Sequence, residues 1–436
     1  MIELPQGERA QTAALQFFLQ RTERSALSQQ RLMQQQSLSK LYQFAIAEVP
    51  YYRDRKAYPK TIETLNWQQL PTLKRADVQR FSHDLQASNV PEGHGGLVEF
   101  RSSGSTGAPV HTFSTAYAQC FWRALTIRDH LWAARDFSSS IAVIKNQAVD
   151  KARYPGIKVN SWGAGVEQLF HTGPLFSLNS SEPLDRQYQW LSELQPGYLL
   201  TYPSALHELA RLQLKHQQVN SIKGVSTLGE NLSDHTRALV KQAFNCRIHD
   251  MYSSQEVGYM ALQCPRHDHY HIQSESCLLE VLREDGTPCV PGEMGRIVVT
   301  PFHNFKMPLL RYEIGDYAIT GEPCDCGIQL PVLQSIVGRS RNLVSYPDGR
   351  KNWPSYNPMA LMKLFPMAQF QLEQTSLQSL RLNIAGVEVL SEPQKQQAIA
   401  IIQQAIDYPF SIDVVQVDSI ERAKSGKFEE FISRIE

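Results

Sequence analysis

Residues 101–109 read Arg-Ser-Ser-Gly-Ser-Thr-Gly-Ala-Pro, a run of glycine and hydroxyl side chains between the apolar stretch Gly96–Phe100 and the mixed stretch His111–Tyr117. Residues of these types bury little apolar surface and cannot build a core. Gly104 and Gly107 permit φ > 0, so the backbone can turn several N–H groups toward one point, and Ser102, Ser103, Ser105 and Thr106 add hydroxyl donors around it. The run suits an oxyanion, and a phosphate above all. No Gly-Lys-Ser/Thr closes it, and no Gly-x-Gly-x-x-Gly with an acidic residue about 20 positions later is present. It therefore belongs to neither of those two phosphate-loop classes.

At 436 residues the chain exceeds what one core holds, and its 42% hydrophobic content is enough for two domains of unequal size. Lys plus Arg and Asp plus Glu both number 43, so no net charge draws it to nucleic acid or an anionic membrane. Met1–Arg9 lacks a basic segment followed by an apolar one, and no run approaches the ~18 apolar residues of a membrane span. A cytoplasmic protein with no nucleic-acid or membrane partner is expected. The 7 cysteines, an odd number without secretory features, argue against a disulfide framework.

Apolar residues recur at helical spacing near the N-terminus (Ala14, Leu15, Phe18, Leu19; Leu38, Leu41, Phe44, Ala45), predicting amphipathic helices that cover a sheet. Further on, strands predicted at 141–144, 198–201, 223–227 and 247–252 alternate with helices at 117–134, 203–216 and 233–244, the signature of α/β layering. Ser204 and Ser233 stand where N-caps are expected. Strands at 278–283, 295–300 and 316–320, with turns at Asp285-Gly286 and Pro291-Gly292, predict a β-rich subdomain. A linker is expected near Gly338. Beyond it, strands at 369–372, 380–384 and 411–417 with a helix at 392–405 predict a small α+β domain.

Five segments in this order resemble the adenylate-forming ligase superfamily, and its phenylacetate-CoA ligase branch in particular. The run Ser102–Pro109 resembles the family's phosphate loop, with Val110 where other branches often carry lysine. Asp250-Met251-Tyr252-Ser253-Ser254-Gln255-Glu256 resembles the Tyr-Gly-x-Thr/Ser-Glu element, whose aromatic ring lines the adenine site and whose Glu holds magnesium. Here Ser253 replaces Gly and Gln255 replaces Ser/Thr. Arg311-Tyr312-Glu313-Ile314-Gly315-Asp316 resembles the element whose Asp accepts both ribose hydroxyls, with Ile314 in place of Thr. Gly338-Arg339-Ser340-Arg341 resembles the interdomain hinge, Arg339 matching a nucleotide-contacting arginine. Arg422-Ala423-Lys424-Ser425-Gly426-Lys427 resembles the C-terminal element that ends in a mobile catalytic lysine, Lys427. Gly229-Glu230 is similar to the step whose backbone passes the adenine.

The resemblance implies an adenylation core over residues 1–338 and a mobile lid over 339–436. It implies an enzyme that uses ATP and Mg²⁺ to turn a carboxylic acid, expected to be aromatic, into an acyl-adenylate, and then passes the acyl group to a thiol, expected to be coenzyme A. The residue types suit that chemistry. A carboxylate attacking a phosphate brings anion to anion, so cations and fixed donors must meet the growing charge; Lys427, magnesium on Glu256 and the loop fill those roles. Relatives of this fold transfer to amines or to carrier-protein thiols, and the altered Ser253, Gln255 and Ile314 leave open a silent nucleotide-binding protein. A homodimer is compatible with this branch.

Cysteine and histidine also cluster. Cys264 opens the run Cys-Pro-Arg-His-Asp-His-Tyr-His that ends at His271, and Cys324-Asp-Cys326-Gly follows later. Three thiolates and one imidazole would close a tetrahedral structural zinc site; free thiols are the plain alternative. His267, His269 and His271 are all candidates for the imidazole, and the family resemblance selects His271. The aromatic residues Tyr154, Trp162, Phe170 and Tyr202 fall in the span where acid pockets form, or else belong to the core.

Overall fold

The computed structural model describes residues 7–61, 65–101, 110–148, 150–339, 343–352, 358–365, 368–387, 389–406, 408–420 and 431–435. A 13-stranded mixed sheet dominates the molecule. Its first half is parallel: Ile141–Lys145 lies between Leu175–Asn179 and Tyr198–Thr201, and the order continues through Gly224–Leu228 to Arg247–Ser254. Parallel strands need long return connections and are buried on both faces. Helices Leu184–Leu194, Pro203–His216 and Asp234–Phe244 supply those returns.

Strand alternation sorts the side chains. Ala142, Ile144, Leu199, Val225 and Ile248 meet Leu191, Leu206, Leu209 and Val240 of the helices on one face. Ile141, Val143 and Tyr198 point to the other, against Ile127 of the helix Ala116–Trp132 and Trp162.

After Arg247–Ser254 the pairing turns antiparallel. Gly258–Gln263, Tyr270–Ile272, Val332–Arg339, Tyr312–Thr320, Met294–Pro301 and Cys277–Leu282 follow in spatial order. The N-terminal helix Leu27–Glu48 buries Leu41, Tyr42 and Ala45 against this half. A separate sheet of Ser411–Gln416, Ser379–Ala385, Gln369–Ser376 and Phe431–Ser433 packs with helix Glu392–Ala405 around its own core of Leu372, Leu382, Ile402 and Phe410. The fold is α/β with a small C-terminal α+β unit. Among the described residues, no helix is long and apolar enough to cross a membrane.

Two expectations need correction. Ser204 is not an N-cap: Tyr202 takes that place with Pro203 in the first turn, where its fixed φ and missing N–H suit a helix start, and the Ser204 N–H instead donates to Glu230 Oε2 at 2.9 Å. Gly338 itself lies inside the strand Val332–Arg339, paired with Tyr317, so the sheet continues one residue past the expected domain boundary. Ser233 does cap its helix, accepting from the Thr236 N–H at 3.2 Å. The strand predicted from Asp316 begins at Tyr312, since Tyr312 and Ile314 both face the core.

One buried ion pair ties the N-terminal helices to the sheet. The Arg128 guanidinium donates to both oxygens of Glu275, at 2.9 and 3.2 Å, to Gln273 Oε1 at 2.8 Å and to the Leu19 carbonyl at 2.6 Å. Burial pushes the Glu275 carboxyl up, but Arg128 and the Thr22 hydroxyl outweigh it and hold its pKa below the usual value. A depressed folded-state pKa stabilises above the unfolded value and is lost as pH falls through the folded one. Removing one partner of a buried pair strands the other, at a cost of about 3–5 kcal/mol. Arg128→Met is expected to lower the unfolding free energy by about that amount at pH 7 and by less in acid, where Glu275 can protonate; equal denaturation midpoints for variant and parent at pH 7 would refute this.

Candidate functional site

The site begins where the sheet changes direction. Strand Gly224–Leu228 ends in Gly229, whose φ of +76° lies in the left-handed region open to glycine. The chain reverses there and carries Glu230 back to the Ser204 N–H. The neighbouring strand Arg247–Ser254 brings Tyr252 and Ser253 to the same end of the sheet, Ser253 pairing with Tyr259 across the hairpin. The Ser254 hydroxyl accepts from the Val257 N–H at 3.2 Å and closes the turn that presents Gln255 and Glu256. Both line an open cleft with Phe113, Phe121, Trp122 and His303.

Beneath this end sits Asp250, whose carboxylate accepts from the Thr227 hydroxyl at 2.6 Å and the Tyr270 hydroxyl at 2.7 Å. Its own N–H donates to Gln263 Oε1 at 2.9 Å. Burial raises its pKa, and the two hydroxyls partly oppose that rise. The network joins strands Gly224–Leu228, Arg247–Ser254, Gly258–Gln263 and Tyr270–Ile272. Sequence reading assigned Asp250 no separate role, because its partners are brought to it only by the pairing of distant strands.

The strand Tyr312–Thr320 supplies Asp316. The Tyr252 hydroxyl donates to Asp316 Oδ2 at 2.7 Å, and Arg339, paired with Asp316 in register, places Nε 3.7 Å from Oδ1. The Tyr312 hydroxyl stands 3.5 Å from Glu256 Oε1. Tyr252, Glu256, Asp316 and Arg339, drawn from three separate motifs, thus share one neighbourhood. Arg311 serves elsewhere: its guanidinium is buried, donating to both oxygens of Glu280 at 3.2 Å and to the carbonyls of Gln68 and Leu70.

Ser102, Ser103, Gly104, Ser105, Thr106, Gly107 and Pro109 lie outside the described residues, as do Ser340, Arg341 and Lys427. Strands Leu97–Arg101 and His111–Thr115 flank the loop as an antiparallel pair with Arg101 opposite His111. Val110, the residue after the loop, is 1% exposed in the main core, a position that favours an apolar side chain. Of the aromatic candidates, Trp162 and Phe170 pack with Phe137 in the core, the Tyr154 hydroxyl donates to Glu193 Oε2 at 2.9 Å and the Tyr202 hydroxyl accepts from the Asn146 N–H at 3.1 Å.

A second cluster lies behind Gln263. One ligand atom from each of Cys264, His271, Cys324 and Cys326 falls within 4.8 Å of all the others. Cys264 Sγ and Cys324 Sγ are 3.8 Å apart, and Cys326 Sγ is 3.3 Å from His271 Nε2. His271 Nδ1 faces the Leu330 carbonyl at 3.2 Å, which fixes the proton on Nδ1 and leaves Nε2 as the ligand atom. Backbone N–H groups of Arg266, Cys326 and Ile328 point at the three sulfurs, each at 3.4 Å. Burial lowers the His271 pKa to about 4 and pushes Cys324 up to about 12. The imidazole is neutral, as a ligand must be, and a bound cation would deprotonate the thiols. His267 Nε2 meets Asp325 Oδ1 at 2.6 Å and groups with it and Cys324, while neither His267 nor His269 belongs to the four-ligand group.

No family model matches the chain. Protein CapK of Staphylococcus aureus is 24% identical over 274 residues, 59% of this chain and 55% of that protein, so the match spans about half of this relative's length. The phenylacetate-coenzyme A ligase of Thermus thermophilus is 24% identical over 72% of this chain and 71% of its own length. The crystal structure of a 2-hydroxyisobutyryl-CoA ligase, in its postadenylation state with an acyl-AMP, superposes with a TM-score of 0.73 at 18% identity, over 95% of this chain and 91% of that one.

Proposed function

We propose that this chain, which by fold and sequence kinship belongs to the adenylate-forming ligase superfamily on its phenylacetate-CoA ligase-like branch, converts a carboxylic acid and ATP into an acyl-adenylate and then into a coenzyme A thioester. The observation that carries this reading is the convergence of Tyr252, Glu256, Asp316 and Arg339 on one neighbourhood. In the first step the acid's carboxylate oxygen bonds to the α-phosphorus of ATP and pyrophosphate leaves. In the second the thiol bonds to the acyl carbon, AMP leaves with its electron pair, and the thiol proton is released. The Tyr252 ring faces the base, Asp316 accepts from the ribose, and Glu256, an open carboxylate at the cleft, would hold magnesium. That ion supplies positive charge beside the phosphates when bound.

The adenylation core is proposed to run through the strand that ends at Arg339, one residue past the expected boundary, and the residues after it are proposed as the lid that delivers Lys427. A lid suits lysine, a compact charge on a flexible stem, and its rotation would open the adenylate to the thiol. The proposed acid is aromatic, supported by the name of the Thermus relative and by Phe113, Phe121 and Trp122 on the cleft beside Glu256. The cluster of Cys264, His271, Cys324 and Cys326 is proposed as a closed structural zinc site, supported by its four ligands, its neutral imidazole and its backbone N–H groups aimed at sulfur.

Acid-dependent pyrophosphate release tests the reaction. Lys427→Ala should lose about 10²–10³-fold in that rate, the scale for removing one charge stabiliser, while ATP still binds; near-normal release would overturn the role of Lys427. Aryl acids should outpace short aliphatic acids in the same assay, and the reverse order would reject the aromatic class. For the thiol cluster, elemental analysis of the purified protein should find one zinc per chain, abolished by Cys324→Ser. Zinc-free parent protein, or zinc retained in that variant, would defeat the assignment.

A further inference from the structure

The two functional acids are held crosswise. Tyr252 and Glu256 belong to one motif and Tyr312 and Asp316 to the other, with the tyrosine preceding the acid by the same spacing in both. Yet each phenol reaches the opposite motif's acid: Tyr252 donates to Asp316 Oδ2 at 2.7 Å, and Tyr312 reaches Glu256 Oε1 at 3.5 Å, the long limit of a hydrogen bond. Both rings are buried, at 9% and 0% exposure. Burial first, and the facing carboxylate second, raise both phenol pKa values, so each hydroxyl remains a donor across the working pH range.

A carboxylate offers about four acceptor positions. At Asp316 the Tyr252 hydroxyl occupies one, on Oδ2, while Arg339 approaches Oδ1 at 3.7 Å. The phenol thus holds Oδ2 away from Arg339, and removing it would let the carboxylate turn to face Arg339 with both oxygens. At Glu256 the Tyr312 hydroxyl has the same bearing, and it also takes a hydrogen bond from Arg75. We infer that Tyr252 and Tyr312 are positioning residues, each fixing the acid of the other motif: Tyr252 sets Asp316 for the ribose diol, and Tyr312 sets Glu256 for the divalent cation on the phosphates. This rests on the nucleotide reading above. It adds that ribose selectivity and cation dependence are governed by separate hydroxyl groups, neither of which touches the reacting atoms.

Calorimetric binding of ATP, 2′-deoxy-ATP and 3′-deoxy-ATP over a magnesium series separates the two roles without turnover. The parent should prefer ATP over either deoxy form by about 10-fold, the scale of a hydrogen bond to a charged group. Tyr252→Phe should weaken ATP severalfold, leave the deoxy forms nearly unchanged and keep the magnesium dependence. Tyr312→Phe should keep the ribose preference and raise severalfold the magnesium needed for half-maximal tight binding. In an Asp316→Asn background, Tyr252→Phe should have no further effect on the preference, since the two groups act as one unit. Equal weakening of all three nucleotides by Tyr252→Phe, or an unchanged preference, would overturn the inference alone. A parent protein that binds no ATP would overturn the proposed function itself.

Discussion

Strand Arg247–Ser254 is bonded parallel on one edge and antiparallel on the other, and the site depends on that double role. A parallel edge demands a helix to return the chain, whereas an antiparallel edge needs only a tight turn. The strand therefore receives Gly229 and Glu230 from the α/β half on one side and makes the Glu256 turn on the other. Asp250 secures the junction, its buried carboxylate accepting from a hydroxyl on the flanking strand Gly224–Leu228 and from one on Tyr270–Ile272, the strand beyond Gly258–Gln263. Burying a carboxylate costs several kcal/mol unless donors replace its water. Burial raises the Asp250 pKa, and the Thr227 and Tyr270 hydroxyls only partly oppose that rise.

Much of the scaffold was legible because the chain obeys simple periodicity where it forms the parallel half. The strand at 198–201 and the helices at 203–216 and 392–405 run over the residues that pattern and punctuation indicate. Legibility failed where a residue's role depends on a partner far away in the chain. Ser204 follows the cap preference of its type, but Pro203 already sets the helix start, and the Ser204 N–H instead donates to a carboxylate from another loop. Gly338 reads as punctuation, yet the edges of Tyr312–Thr320 and Tyr270–Ile272 hold its strand on both sides.

The site divides in the same way. Motif order points to Tyr252, Glu256, Asp316 and Arg339 as residues of one nucleotide site, but not to which touches which. The crosswise pairing of tyrosines and acids, and the network around Asp250, arise from strand register and leave no local trace. In the aromatic span from Tyr154 to Tyr202 the core alternative holds for two residues. Trp162 and Phe170 carry large apolar area, and the fold uses it to cover the sheet beside Ile141 and Val143, with the cleft lined instead by Phe113, Phe121 and Trp122.

The thiol cluster and the hydrogen-bond network of Asp250 meet on one short strand. Tyr270 and His271 are consecutive residues of Tyr270–Ile272, so their side chains leave opposite faces. Tyr270 donates to Asp250, and His271 Nε2 turns toward Cys326. The strand is only three residues long and pairs with Gly258–Gln263 on one edge and Val332–Arg339 on the other. A strand so short is marginal on ladder hydrogen bonds alone. Cross-linking His271 to Cys264, Cys324 and Cys326 through one ion would pin it from the face opposite Tyr270 and hold that hydroxyl against Asp250. An ion bound by the proposed cluster would in this way act on the proposed nucleotide site through a single strand, by fixing the Tyr270 hydroxyl that donates to Asp250.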